Sequence, residues 1–189
     1  MRLGILKALA LVTLLLLWLP SLASAGDSTE VQLAEALSEP GMVAIIVGAV
    51  AMPLLEGDDN AGDEALRTAD GIASAWLVTK GLQRSVQEER PDGTSKDSFP
   101  SGHATSAFAA ATMAADRHPK QAPYWYGAAA AIAWSRVRLK RHHTRDVLAG
   151  AAIGYGMAKL EQQLPRGLLI APFYDPDTQC GGVEACWEF

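Results

Sequence analysis

The chain has 189 residues, which is enough for one domain with a sizeable core and too few for two. It carries 16 basic and 21 acidic residues, so its formal net charge is −5. This balance argues against a nucleic-acid-binding protein, because such binding depends on many Lys and Arg side chains that neutralise phosphates.

Residues 1–25 have the three-part layout of a secretory signal peptide. Arg2 and Lys7 give a positive start, residues 9–19 are apolar apart from one threonine, and a proline and small residues precede Ala25. We therefore expect cleavage after Ala25 and export to the periplasm. The alternative is an uncleaved anchor, since the apolar stretch nearly reaches the length that spans a bilayer.

The mature domain, residues 26–189, contains six segments with helical periodicity or composition. They are 29–38, 42–55, 63–86, 101–115, 124–139 and 144–164. Pro40-Gly41 separates the first two, and the polar loop 88–99 separates the third from the fourth. These segments predict an all-α, single-domain bundle of five or six helices, with the active site at helix ends and a short extended C-terminal tail.

No apolar stretch of the mature domain reaches the length expected of a transmembrane helix. We therefore expect a soluble domain or one attached peripherally to a membrane surface. Its two cysteines, Cys180 and Cys186, both lie in the tail. In an oxidising compartment they are expected to close a small disulfide loop, and the alternative is two free thiols. A metal site is disfavoured, because no histidine lies near them in sequence.

His142 and Asp146 are four residues apart at the start of the last predicted helix. On a helix this spacing places both side chains on one face, within hydrogen-bonding reach. A carboxylate that holds one imidazole nitrogen fixes the tautomer and raises the basicity of the other nitrogen, as in catalytic His–Asp pairs. A solvated helix face can carry the same spacing, so the pair alone does not establish catalysis.

Arg90, Arg136 and the start of the fourth predicted helix are suited to holding a phosphate. Arginine binds phosphate oxygens with two parallel hydrogen bonds and stays charged. Ser101-Gly102 would present backbone N–H groups to an anion, and His103 is placed to give a proton to a leaving oxygen. Each residue has an ordinary structural interpretation by itself, but their joint order and spacing indicate phosphate chemistry.

Three segments resemble the signature motifs of the type 2 phosphatidic acid phosphatase superfamily. They are Arg90-Pro91, Pro100-Ser101-Gly102-His103 and Ser135-Arg136-x5-His142-x3-Asp146. That superfamily includes lipid phosphatases, bacterial class A acid phosphatases and vanadium haloperoxidases. The resemblance covers about residues 79–157 and is most specific in the second and third motifs.

The resemblance implies a phosphatase of phosphomonoesters or diphosphates that needs neither a metal nor a cofactor. His142 would be the nucleophile that forms a phosphohistidine, Asp146 would orient it, and His103 would be the general acid. The residues expected to bind the phosphoryl oxygens are Arg90, Arg136, Ser101 and Gly102. Guanidinium and amide groups would stabilise the developing charge.

One position departs from the family pattern. The first motif has a lysine seven residues before its arginine, where this chain has Gln83. Lys80 and Arg84 are close in sequence but lie on different parts of the helix turn. Either such a neighbour replaces the lost charge, or the phosphate is held by one cation fewer. Gln83 would still donate a neutral hydrogen bond to the phosphate, roughly half as strong as a charge-assisted one. We therefore expect weaker phosphate binding or an altered substrate preference, with activity retained.

The expected substrate is a lipid phosphate at a membrane surface, such as phosphatidic acid or a polyprenyl phosphate or diphosphate. One alternative is an exported acid phosphatase of soluble phosphomonoesters. Another is a vanadium haloperoxidase, which the short chain and the missing lysine disfavour. A third is a non-catalytic phosphate- or lipid-binding protein, which Gln83 alone favours. The sequence does not specify an oligomeric state.

Overall fold

The computed structural model describes residues 27–57, 59–164, 167–175 and 180–185. The predicted signal peptide, residues 1–25, and the tail cysteine Cys186 lie outside the described residues. Cleavage of the peptide and the disulfide between Cys180 and Cys186 therefore stay predictions.

Five α-helices and a C-terminal hairpin make up the described chain. The helices are α1 (Asp27–Glu56), α2 (Ala61–Val86), α3 (Gly102–Arg117), α4 (Ala122–Arg138) and α5 (Thr144–Gln163), with a 3-10 turn at Pro119–Gln121. The hairpin pairs β1 (Ile170–Asp175) with β2 (Cys180–Ala185) in antiparallel register, Ile170 opposite Ala185. The predicted all-α bundle is confirmed, and its extended tail forms this hairpin.

Helix α1 corrects the predicted break at Pro40-Gly41. The sequence predicted two short helices, but α1 runs without interruption through both Pro40 and Pro53. A proline inside a helix removes one backbone hydrogen bond and crowds the preceding turn. Burial of Ile45, Ala49 and Met52 in the core offsets that local cost. Tertiary packing thus overrides local propensity along this helix.

Helix α3 lies at the centre of the bundle and packs against the other four helices. It contributes a run of small side chains to the core, namely Ala104, Ala107, Ala109, Ala110, Ala111, Ala114 and Ala115. Small residues let helix axes approach closely. The small side chains of α3 therefore allow its neighbours to pack with their backbones close to that of α3.

The tightest approach joins α5 to α3. A Cβ atom at Gly150 would lie 2.5 Å from the carbonyl oxygen of Ser101, and one at Gly154 would lie 2.2 Å from that of Thr105. Both positions therefore require glycine. This contact places the first turn of α5 beside the start of α3, where the Ser101 N–H donates to the Asp146 carbonyl oxygen at 3.0 Å. The segments that carry the second and third motifs meet here.

Away from that junction, Asp70 of α2 and Glu161 of α5 form a buried carboxyl pair that holds the start of the tail. Asp70 Oδ2 accepts hydrogen bonds from the backbone N–H groups of Leu168 and Leu169, each at 3.0 Å. Glu161 Oε2 accepts a second bond from Leu168 at 2.8 Å. Burial and the charge of Asp70 raise the pKa of Glu161 to about 7.

Candidate active site

Two adjoining cavities lie where the helix ends meet, and together they collect most of the residues singled out from the sequence. The larger, of about 500 Å³, is lined by Arg90, Gly102, His103 and His142 among others. Arg136 lines the smaller, of about 390 Å³, and Arg90 lines both. Ser101 and Asp146 are fully buried behind these walls.

His142 is buried and held in one tautomer by the backbone of the loop that precedes α3. Its Nδ1 lies 2.7 Å from the carbonyl oxygen of Ser98, which can only accept, so Nδ1 carries the proton. The lone pair is therefore on Nε2. Burial lowers the pKa of His142 to about 4, and the nearby charges of Arg136 and Arg90 act in the same direction. The ring is consequently neutral at physiological pH, the form a nucleophile needs.

Asp146 does not hold His142 directly, contrary to the sequence expectation. Its Oδ2 lies 4.0 Å from His142 Nδ1, which is beyond hydrogen-bonding distance. The two side chains are within ion-pair distance, as the spacing predicted, but they are not hydrogen bonded, because α5 begins at Thr144 and His142 lies outside the helix. That Asp146 orients His142 stays a prediction. The Asp146 carboxylate instead caps α5 by accepting from the backbone N–H of His143 at 2.8 Å.

The same carboxylate oxygen links Asp146 to His142 through Ser98. Ser98 Oγ donates to Asp146 Oδ2 at 2.6 Å, while the Ser98 carbonyl accepts from His142. All three side chains are buried. The structure thus supplies a relay in which the carboxylate fixes the serine and the serine backbone fixes the imidazole.

His103, in the first turn of α3, contacts an unexpected partner. Its Nε2 lies 2.8 Å from Oε1 of Glu39 on α1. Burial lowers the pKa of His103, and the charge of Arg136 lowers it further, while Glu39 opposes both effects. The imidazole lines the larger cavity together with His142, where a general acid would be needed.

Arg136 and Arg90 approach the cavities in different electrostatic states. Arg136 is buried, donates through Nη1 to Ser38 Oγ, and has a buried Nε–H without a hydrogen-bond acceptor among the described residues. Burial lowers its pKa to about 10, so it stays charged. Arg90 already faces a carboxylate, because its Nε and Nη2 lie 2.9 and 3.1 Å from the two oxygens of Asp97. The Nε–H of Arg90 likewise lacks a hydrogen-bond acceptor among the described residues, but a carboxylate lies 2.9 Å from it. Arg136 is therefore better placed to bind an additional anion.

The start of α3 offers fewer amides than the sequence suggested. The N–H of Ser101 is taken by the carbonyl oxygen of Asp146, so this residue cannot donate it to an anion. The helix begins at Gly102, and the first-turn N–H groups of a helix lack intrahelical acceptors. Of these residues, Gly102 and His103 line the larger cavity, so their amides are placed to bind a phosphoryl oxygen.

Gln83 is buried and acts as a bridge. Its Nε2 donates to the carbonyl oxygen of Pro100 at 2.9 Å, and its Oε1 accepts from Nζ of Lys80 at 2.9 Å. The amide therefore braces the loop before α3. Gln83 also lines the larger cavity, so its expected hydrogen bond to the phosphate stays a prediction. Its other partner, Lys80, lines the larger cavity.

Four residues at the site were not predicted from the sequence: Ser38, Glu39, Asp97 and Ser98. Ser98 and Asp97 stand just before the second motif, so their position was the available signal. Ser38 and Glu39 lie 98 and 64 residues from their partners Arg136 and His103. Local sequence patterns carry no signal for such distant contacts.

In the described part of the chain, one group of side chains has the ligand atoms for a metal ion: Glu88, His143 and Asp146. Its members already have partners. Glu88 pairs with Arg145, and Asp146 accepts from the Ser98 hydroxyl and the His143 backbone. Glu88 Oε1 and Asp146 Oδ2 are thus engaged, whereas Asp146 Oδ1 has no hydrogen-bond partner among the described residues.

The fold and the site define a helical protein that gathers imidazole and guanidinium groups around two adjoining cavities of about 500 and 390 Å³. The chain belongs to the PAP2 superfamily, whose family model matches residues 71–167, that is, 97 of the 189 residues. Over 103 residues it is 40% identical to a lipid A 1-phosphatase of Porphyromonas gingivalis. That match covers 52% of this chain and 23% of the relative. No solved structure matches the chain significantly.

Proposed function

We propose that this protein is a phosphatase that hydrolyses a phosphorylated lipid through a phosphohistidine on His142. The observation that carries the proposal is the larger cavity, which joins the two imidazoles and Arg90 to an apolar wall. That wall comes from α1 and α2 and includes Met42, Ile46 and Trp76. A soluble phosphate ester would not need an apolar wall, whereas a lipid phosphate would.

The first half-reaction forms a nitrogen–phosphorus bond. Nε2 of neutral His142 attacks phosphorus, the bond from phosphorus to the lipid oxygen breaks, and protonated His103 gives its proton to that oxygen. The negative charge of the bound phosphate favours the protonated form of His103. Arg136 and the first amides of α3 stabilise the charge on the phosphoryl oxygens.

The second half-reaction releases phosphate. Neutral His103 takes a proton from a water molecule, whose oxygen attacks phosphorus while the bond to His142 breaks. Inorganic phosphate leaves, and both imidazoles return to their starting states. The relay from Asp146 through Ser98 keeps His142 in the tautomer that each step requires.

A membrane surface is the proposed location of the substrate. In the described part of the chain, one helix, Thr29–Glu56, is long and apolar enough to cross a bilayer by length and composition. Val43, Val47 and Leu54 on this helix are each more than half exposed. The relative's name, lipid A 1-phosphatase, also points to a lipid substrate. Export to the periplasm is part of the proposal and depends on residues 1–25.

The test compares the full chain with its His142→Ala variant on vesicles containing phosphatidic acid, on lipid A, and on soluble p-nitrophenyl phosphate. We expect phosphate release from a lipid, a loss of about 10³-fold or more in the variant, and no effect of EDTA. His118→Ala is the matched control, because His118 pairs with Glu56 at the other end of α3. A wild type inert on every ester would refute the enzyme, and faster turnover of the soluble ester would refute the lipid preference.

A further inference from the structure

The larger cavity contains a cation outside all three motifs. Lys80 lies on α2, is half-buried, and lines this cavity together with His103 and His142. Its Nζ donates to Gln83 Oε1 at 2.9 Å and lies 5.6 Å from the ring centroid of Trp76. A long ammonium side chain at a cavity edge usually extends into water. Here it is tied to a buried amide instead.

We propose that Lys80 binds a phosphoryl oxygen of the substrate and that Gln83 positions its ammonium group for that contact. The proposal rests on the proposed function, since it names a further binding residue of the same site. It assigns to Lys80 the positive charge that Gln83 cannot carry, and to Gln83 a positioning role.

The charges around the cavity support this assignment. Arg90 pairs with Asp97 through two direct contacts. Lys80 has no such ion pair among the described residues, and it interacts with the Asp97 carboxylate only at longer range. An ammonium group has three protons to donate, and Gln83 accepts one of them. A phosphomonoester carries up to two negative charges, so one buried arginine leaves charge to be balanced. Lys80 can supply that balance.

Gln83 gives the ammonium group a fixed position relative to the phosphate-binding amides. It is buried, and its Nε2 bonds the carbonyl oxygen of Pro100, two residues before Gly102 begins α3. The Gln83 side-chain amide thus connects the Lys80 ammonium group to the residues just before α3. Holding a flexible side chain in place before the substrate arrives reduces the entropy lost on binding.

The experiment measures the Kd of inorganic phosphate by calorimetry and the KM and kcat for the lipid. Lys80→Met is expected to raise both Kd and KM by about tenfold to hundredfold, the range of one charge-assisted hydrogen bond. Lys80→Arg is expected to retain most of the affinity. Lys159→Met is the matched control, because Lys159 pairs with Asp116 away from the cavity.

A second variant separates binding from folding. In Lys80→Met/Gln83→Lys the charge returns to the cavity from the neighbouring turn, so we expect the phosphate Kd to recover in part. Unchanged Kd and KM in Lys80→Met, with only the melting temperature lowered, would overturn the proposal. So would a loss in the single variant that Lys80→Arg does not rescue.

The two proposals fail in different ways. Phosphate binding can be measured in the His142→Ala background, where no turnover is needed. If the wild type hydrolyses nothing but Lys80→Met weakens phosphate binding, the proposed function fails and the role of Lys80 stands. If the wild type is active and Lys80→Met changes neither constant, only the role of Lys80 fails.

Discussion

Ser98→Ala is expected to slow catalysis although the change leaves every group that would touch the substrate in place. The hydroxyl of Ser98 donates to Asp146 at 2.6 Å, and both side chains are buried. A hydrogen bond to a charged group contributes about 1.5–3 kcal/mol. Without it, the loop loses its anchor to α5, and the carbonyl oxygen that holds His142 at 2.7 Å is free to shift.

We expect kcat to fall about tenfold, which corresponds to an activation free energy about 1.4 kcal/mol higher. KM should change little, because the substitution leaves the cations proposed to bind phosphate in place. The assay is steady-state hydrolysis of the lipid by wild type, Ser98→Ala, Asp146→Asn and the double variant. Because both single changes break one relay, their effects on kcat should be strongly non-additive.

The control is Ser85→Ala, which removes an exposed hydroxyl bond to the Gly81 carbonyl and should leave kcat unchanged. Wild-type kcat in Ser98→Ala together with an inactive Asp146→Asn would refute the relay. In that case the Asp146 carboxylate would act on His142 directly, as the sequence alone suggested.

Three further outcomes follow from the structure. kcat/KM should rise with pH through about 4, where His142 becomes neutral. It should fall again near or below the ordinary pKa of histidine, where His103 loses its proton. An alkaline optimum would contradict the assigned roles. Gly154→Ala should lower the free energy of unfolding by about 1–3 kcal/mol or more, because its Cβ would lie 2.2 Å from a backbone oxygen. The control is Gly156→Ala, where a Cβ meets open space, so thermal melts should show a neutral or stabilising effect. The pKa of Glu161 is raised to about 7, so this group favours folding at low pH and that contribution is lost as the pH rises from about 4.5 through 7. Glu161→Gln should flatten the pH dependence of the melting temperature in that window, and an unchanged slope would exclude Glu161 as its source.

The sequence predicted helices α2 to α5 to within about two residues, because their apolar periodicity and their flanking turn residues agree. The prediction failed at α1, because two prolines and a glycine indicated a break there. The helix continues through them because its residues pack into the core, and local sequence does not show that packing. The motif spacing likewise identified His142, His103 and Arg136 as neighbours. The sequence predicted a helix that begins at Thr144, yet helical spacing was applied to His142, which precedes that helix. The Ser98 relay was missed because Ser98 and Asp146 are 48 residues apart in sequence.

Helix α1 shows why the motifs alone do not account for the site. Its polar turn supplies Ser38 to Arg136 and Glu39 to His103, and the next turns supply Met42 and Ile46 to the apolar wall. The same helix therefore contacts the proposed general acid, the arginine proposed to bind phosphate and the proposed path of the lipid. Because α1 carries none of the family motifs, it can vary the fit of the substrate while the motif residues keep the chemistry. Substrate preference in this protein should accordingly be sought in α1 and α2, and the reaction itself at the junction of α3 and α5.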